Sequence, residues 1–166
     1  MKTMKYLLLL SCFLPIFSCG HGHDNKRQKG DPVAYHYSYW GMMAQPVKWY
    51  EVQKEDDGTV TLSYASGSST ATVYKAPADL LQKIGATARQ YKLHKLSSSY
   101  RPVMEILDGN SWSMHISYPE GSISSGGSNA GAGKKLMSGI ATINQNLQSL
   151  IDNASPEDVI GERPIR

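Results

Sequence analysis

The residues best suited to chemistry cluster late in the chain. His115 lies in an alternating segment, Glu105 and Asp108 precede it, and Ser124-Ser125-Gly126-Gly127-Ser128-Asn129 follows. A serine hydroxyl near an imidazole and a carboxylate has the makings of a hydrolytic site. Glycines ahead of a helix also let backbone N–H groups converge on a small anion. Ser125, Ser128, Asn129, His115 and Glu105 are therefore candidate ligand-binding residues. Glu105 stands in an apolar run and reads either as the ion-pair partner of Arg101 or as a functional carboxylate. Asp108 precedes Gly109, where an aspartate commonly caps a turn. Nucleotide hydrolysis is excluded by detail: a P-loop would need glycine at Ser128 and a hydroxyl at Lys135. No G-x-S-x-G elbow and no HExxH pair occurs either.

Aromatic residues offer a different chemistry. Tyr35, Tyr37, Tyr39 and Trp40, with Trp49, Tyr50 and Trp112, form a set able to stack on sugars or anchor a protein partner. Tyr37, Trp40 and Trp112 are the candidates drawn from it. The competing reading is that about half of the set is core, because the only phenylalanines are Phe13 and Phe17. Among the histidines, His36 shares a face with Ser38 and Trp40, and His115 with Ser113 and Ser117. His21, His23 and Asp24 read as a solvated spacer, since two histidines in a mobile segment make a weak chelate. His94 suits a helix C-terminus. No metal or cofactor is expected.

Alternation and helical spacing define the elements that must position these groups. Period-two patterns predict strands over 33–40, 47–54, 59–64, 70–75, 103–107, 112–118 and 122–125. Asp57-Gly58 marks a two-residue hairpin and Asp108-Gly109 a turn. Pro77 followed by Leu80, Leu81, Ile84, Ala88 and Tyr91 predicts a helix over 78–95. Leu136, Ile140, Ile143, Leu147 and Leu150 step by four and three, giving a second helix after a glycine-rich loop, 126–133. The expected fold is α+β, in the order β-β-β-β-α-β-β-β-α, with antiparallel strands and both helices on one face. Two β-β-β-α units are discernible as a pseudo-repeat. Residues 154–166, with Pro156 and Pro164, read as a loose tail.

Charge and cysteine usage narrow the setting. The chain carries a formal charge of +3, but from Asp31 onward 12 Lys and Arg face 13 Asp and Glu. A domain without basic surplus has no means of neutralising many phosphates, so a nucleic-acid role is excluded. Lys2 and Lys5 precede an apolar run, 6–17, which as a helix reaches only about 18 Å and cannot span a bilayer. The run has the build of a secretory signal. Residues 19–31 are polar and read as a tether, and 32–153 as one domain.

Ile16-Phe17-Ser18-Cys19 resembles the lipobox of bacterial lipoproteins. The resemblance implies removal of residues 1–18, a diacylglycerol thioether on Cys19, and anchoring to a membrane of the cell envelope. The alternative, an ordinary signal with a chance cysteine, fits poorly because Ile16 breaks its small-x-small cleavage pattern. Leu107-Asp108-Gly109-Asn110-Ser111-Trp112-Ser113, followed by Ser124-Ser125-Gly126-Gly127-Ser128-Asn129-Ala130, is similar to small exported bacterial lipoproteins of unknown function. That likeness covers residues 103–150 and implies a fold more than a chemistry. The expectation is a monomeric, non-enzymatic module that binds an envelope glycan, peptide or partner protein. The alternative is an envelope hydrolase or small-anion site at the loop from Ser124 to Asn129.

Overall fold

The computed structural model describes residues 28–41, 46–104 and 109–165. Strands β1 (Ala34–Trp40), β2 (Pro46–Lys54), β3 (Val60–Ala65) and β4 (Thr70–Lys75) precede helix α1 (Leu80–Tyr91). Strands β5 (Ser99–Tyr100), β6 (Ser111–Ser117) and β7 (Ser122–Ser128) lead to helix α2 (Lys134–Asp152), and β8 (Val159–Pro164) ends the chain. All eight strands form one sheet in the order β5-β7-β6-β1-β2-β3-β4-β8, antiparallel except where β5 runs parallel to β7. The fold is α+β.

Strand alternation sorts the side chains onto two unlike faces. Tyr35, Tyr37 and Tyr39 of β1 align with Val52, Tyr50 and Lys48 of β2 and with Ile116, Met114 and Trp112 of β6. This face carries the core, closed by Leu80, Leu81, Ile84 and Ala88 of α1 and by Ile140, Ile143 and Leu147 of α2. Each such buried leucine or isoleucine contributes about 1.5–3 kcal/mol of transfer free energy. The helices approach closely because position 139 is glycine: a Cβ there would lie 2.6 Å from Tyr91 Cβ. Helix α1 ends where Lys92 turns left-handed, its N–H donating to the carbonyls of Ala88 and Arg89.

Buried tyrosines fix where α2 sits. Tyr35 is wholly buried, and its hydroxyl donates to Asn144 Oδ1 at 2.7 Å; one helical turn on, Gln148 Oε1 accepts from Tyr50 at 2.7 Å. Residues at i and i+4 share a helix face, so one register satisfies both phenols. Burial and the neighbouring tyrosines push both phenols up, Tyr50 to about 12, so they remain donors across the physiological range.

Four features differ from the sequence expectation. Val103 and Met104 are exposed in a bend, and the rest of the expected strand over 103–107 lies outside the described residues. The edge is instead the two-residue β5. The tail is not loose. Asp158 Oδ2 accepts from both the N–H and the hydroxyl of Ser155, closing a turn that delivers β8 alongside β4. The element order thus gains an eighth strand after α2. Its charged, mostly exposed residues and terminal Pro164 are those of a strand with one side open to water. The β2–β3 turn is one residue wider than expected: Glu55 pairs with Thr59 around Asp56, Asp57 and a left-handed Gly58. At the other end, Lys29 bridges Glu120, so part of the expected tether is docked on the domain.

Replacing Asn144 by Ala strands the Tyr35 hydroxyl in the core and is expected to lower stability by about 1–3 kcal/mol. The double variant Tyr35→Phe/Asn144→Ala recovers part of that loss, because the orphaned donor is removed as well. Urea midpoints of the two single variants and the double variant measure the coupling directly; additive losses would exclude it.

Candidate functional site

The candidate residues divide between the two faces of the sheet. Tyr37, Trp112 and Ser125 lie on the helix face, while Trp40, His115 and Ser128 lie on the open face. Asn129 follows β7 in a left-handed conformation. Glu105 lies outside the described residues, as do Asp108, Cys19, His21, His23 and Asp24. The set therefore does not converge on one site.

The expected loop is largely strand. Strand β7 runs through Gly126 and Gly127 to Ser128, three residues past its predicted end. Ser125 is buried and donates to the Ser97 carbonyl at 2.7 Å. Asn129 binds Asn110 twice: its Oδ1 accepts the Asn110 N–H, and its own N–H donates to the Asn110 carbonyl, both at 2.8 Å. Trp112 is 8% exposed, donates Nε1–H to the Ala130 carbonyl at 2.8 Å, and stacks on Tyr100 at 6.2 Å. Gly127 lies beneath this lock, where a Cβ would meet Ala130 O at 2.2 Å. The Ser125 hydroxyl proton and the Asn129 backbone N–H and Oδ1 are thus already engaged.

On the open face, register brings together groups far apart in sequence. His36 stands opposite His115 on one side and Glu51 on the other. Trp49 meets His36 edge-on at 5.4 Å, and Ser38 Oγ shares a 2.8 Å hydrogen bond with Ser113 Oγ. Arg163 of β8 reaches back to Glu51 at 3.3 Å and Glu55 at 3.4 Å. His36, Trp49, Glu51 and Arg163, with Gln53 and Pro164, line a polar hollow of about 290 Å³. Beside Glu51 in the sheet, the Ser63 hydroxyl is buried without a hydrogen-bond partner. Among the described residues no group of three His, Cys, Asp or Glu could hold a metal ion.

A second cleft lies on the helix face, above the ends of β1 and β2. Tyr37, Tyr39, Lys48 and Tyr50 form its floor, and Asn144, Gln145 and Gln148 of α2 overhang it. It is about 420 Å³, within the range of small-ligand clefts. The small side chain of Ala141 leaves the space open. Tyr37, Tyr50 and Tyr64 run across three strands with ring centroids 6.4 and 5.2 Å apart. Of the sequence candidates only Tyr37 belongs here. Asn144, Gln145 and Lys48 were missed, since nothing in a helical stripe says which strand its polar neighbours overhang.

No protein-family model matches the chain, and no curated protein matches it. No helix among the described residues is long and apolar enough to cross a membrane.

His36 gives the open face a pH signature. Burial first, and then the charge of His115, hold its imidazole below the ordinary value. As pH falls below about 6.5 the unfolded chain therefore binds a proton before the folded one does. Stability is expected to fall with pH from that point until the folded pKa is passed, and to be flat above it. Asp57 and Asp158 are held low by hydrogen bonds from Thr59 and Ser155, so their contribution is lost only in stronger acid. Urea midpoints between pH 5 and pH 8 should slope in the wild type and flatten in His36→Gln; an unchanged slope would assign the effect elsewhere.

Proposed function

We propose that this protein is a lipid-anchored accessory module of the bacterial cell envelope. It is held through Cys19 and binds a glycan, peptide or partner protein without turning it over. The observation that carries the binding reading is the open tyrosine and amide cleft between α2 and the ends of β1 and β2. It offers aromatic faces, hydroxyls and amides, and it holds neither a nucleophile–base pair nor a carboxylate. The engaged Ser125 and Asn129 favour binding over hydrolysis as well.

Support for the anchor comes from the lipobox-like Ile16-Phe17-Ser18-Cys19 and from the polar stretch after it. Nine residues separate Cys19 from Lys29, where the chain docks on the domain. Fully extended they reach about 30 Å, which bounds how far Lys29 can stand from the anchor.

Expression in a bacterial host tests the anchor. The wild type should incorporate labelled fatty acid and partition into the membrane, and Cys19→Ala should do neither. Unlabelled wild type, or Cys19→Ala that still pellets with membranes, would overturn it. For the binding reading, affinity capture from envelope extract should recover one defined ligand with wild type and lose it with Tyr39→Ala.

A further inference from the structure

We propose that the tyrosine cleft is a saccharide site, taking a pyranose ring of an envelope glycan. This rests on the binding reading above and names its ligand class. Tyr37 and Tyr39 stand two residues apart on one strand, so their Cα atoms are about 6.5 Å apart and their side chains share the cleft face. Both are partly exposed beside the core, and neither hydroxyl has a hydrogen-bond partner among the described residues. Such rings offer a flat surface to the C–H face of a sugar and a polar rim to its hydroxyls.

The overhanging amides complete the match. Tyr35 occupies Asn144 Oδ1, which leaves the two N–H donors of that amide unclaimed and holds the side chain in place. Gln145, on the exposed side of α2, keeps both its carbonyl and its NH2 group. Sugar hydroxyls donate and accept at once, and this set of phenols and amides does the same. Lys48 is the single charge at the cleft, consistent with a neutral or acidic sugar.

Two other occupants fit less well. A peptide that binds by strand addition needs a free sheet edge. Here β1 is paired on both sides, with β2 and β6, and β2 with β1 and β3, so no free backbone ladder faces the cleft. Tyrosines can anchor a protein partner too, but such an anchor sits at the centre of a wider desolvated patch. The exposed large apolar residue at the cleft is Val47, whereas Val103, Met104, Val159 and Ile160 lie elsewhere.

The test uses the full chain carrying Cys19→Ala. It is titrated with tetra-N-acetylglucosamine and with a galacturonic acid oligomer, and co-sedimented with purified peptidoglycan sacculi. At least one probe should bind saturably. Tyr39→Ala and Gln145→Ala should each weaken that binding at least tenfold, and Gln145→Ala, at an exposed position, should do so with the thermal midpoint unchanged. The inference is overturned if no probe binds, or if both variants bind as the wild type does. A peptide or protein captured from extract and lost in Tyr39→Ala, with no carbohydrate bound, would sink the saccharide assignment and leave the binding reading standing. Loss of all capture would sink both.

Discussion

A core that must use tyrosine has to find a partner for every hydroxyl it buries. This chain has no phenylalanine after Phe17, so its largest core side chains on the sheet carry a polar tip. An unpartnered phenol in that interior costs about 1–3 kcal/mol. Asn144 and Gln148 resolve the conflict for Tyr35 and Tyr50 from one face of α2. Two directional bonds then do what apolar contact alone does not: they set the height and rotation of the helix over the strands. The cleft at the end of β1 and β2 follows from that placement, because the same amide that anchors Tyr35 overhangs it.

The two faces of the sheet are consequences of a single alternation in β1. Odd positions from Tyr35 to Tyr39 face the helices, and even positions from His36 to Trp40 face away. The open face remains polar through serines on β6 and β7, and it is part-covered on its other half by Arg163 and by Ile165 against Trp49, Ala65 and Ala71. A half-buried imidazole that disfavours its proton and an ion pair about one-third exposed are both tolerable there. Neither would be tolerable under α2, where nothing but phenols and amides meets the buried polar atoms.

Much of this architecture was legible from periodicity. The 70–75 strand and the stripe from Ile140 to Leu147 emerge where expected, because alternation and four-three spacing reflect the burial that drives folding. What escaped was set by pairing rather than pattern. β8 has no apolar face of its own and exists because Ser155 and Asp158 turn the chain back onto β4. Arg163 meets Glu51 across 112 residues, a distance that no local signal bridges. Ser125 and Asn129 had the right types for a site, yet the backbone claimed them first. Asn and Ser next to glycine serve turns and edges at least as readily as ligands. The tyrosines were ambiguous for a physical reason as well, since one residue type fills the core at 35 and lines a cleft at 37 and 39.

The position of β8 has a consequence for how the molecule is made. It follows the other seven described strands in the chain, and it is the one that covers the outer edge of β4. Until it arrives, Thr70 to Lys75 present a row of unpaired N–H and C=O groups, the template on which neighbouring chains associate. Strand β1 waits as well, because its partner β6 lies some 80 residues downstream. The nascent sheet therefore has two bare edges until β6 and β8 emerge, and the outer one is covered only when residues 159–164 pair with β4. A chain that stops a few residues short would keep its core and its cleft while leaving that edge open.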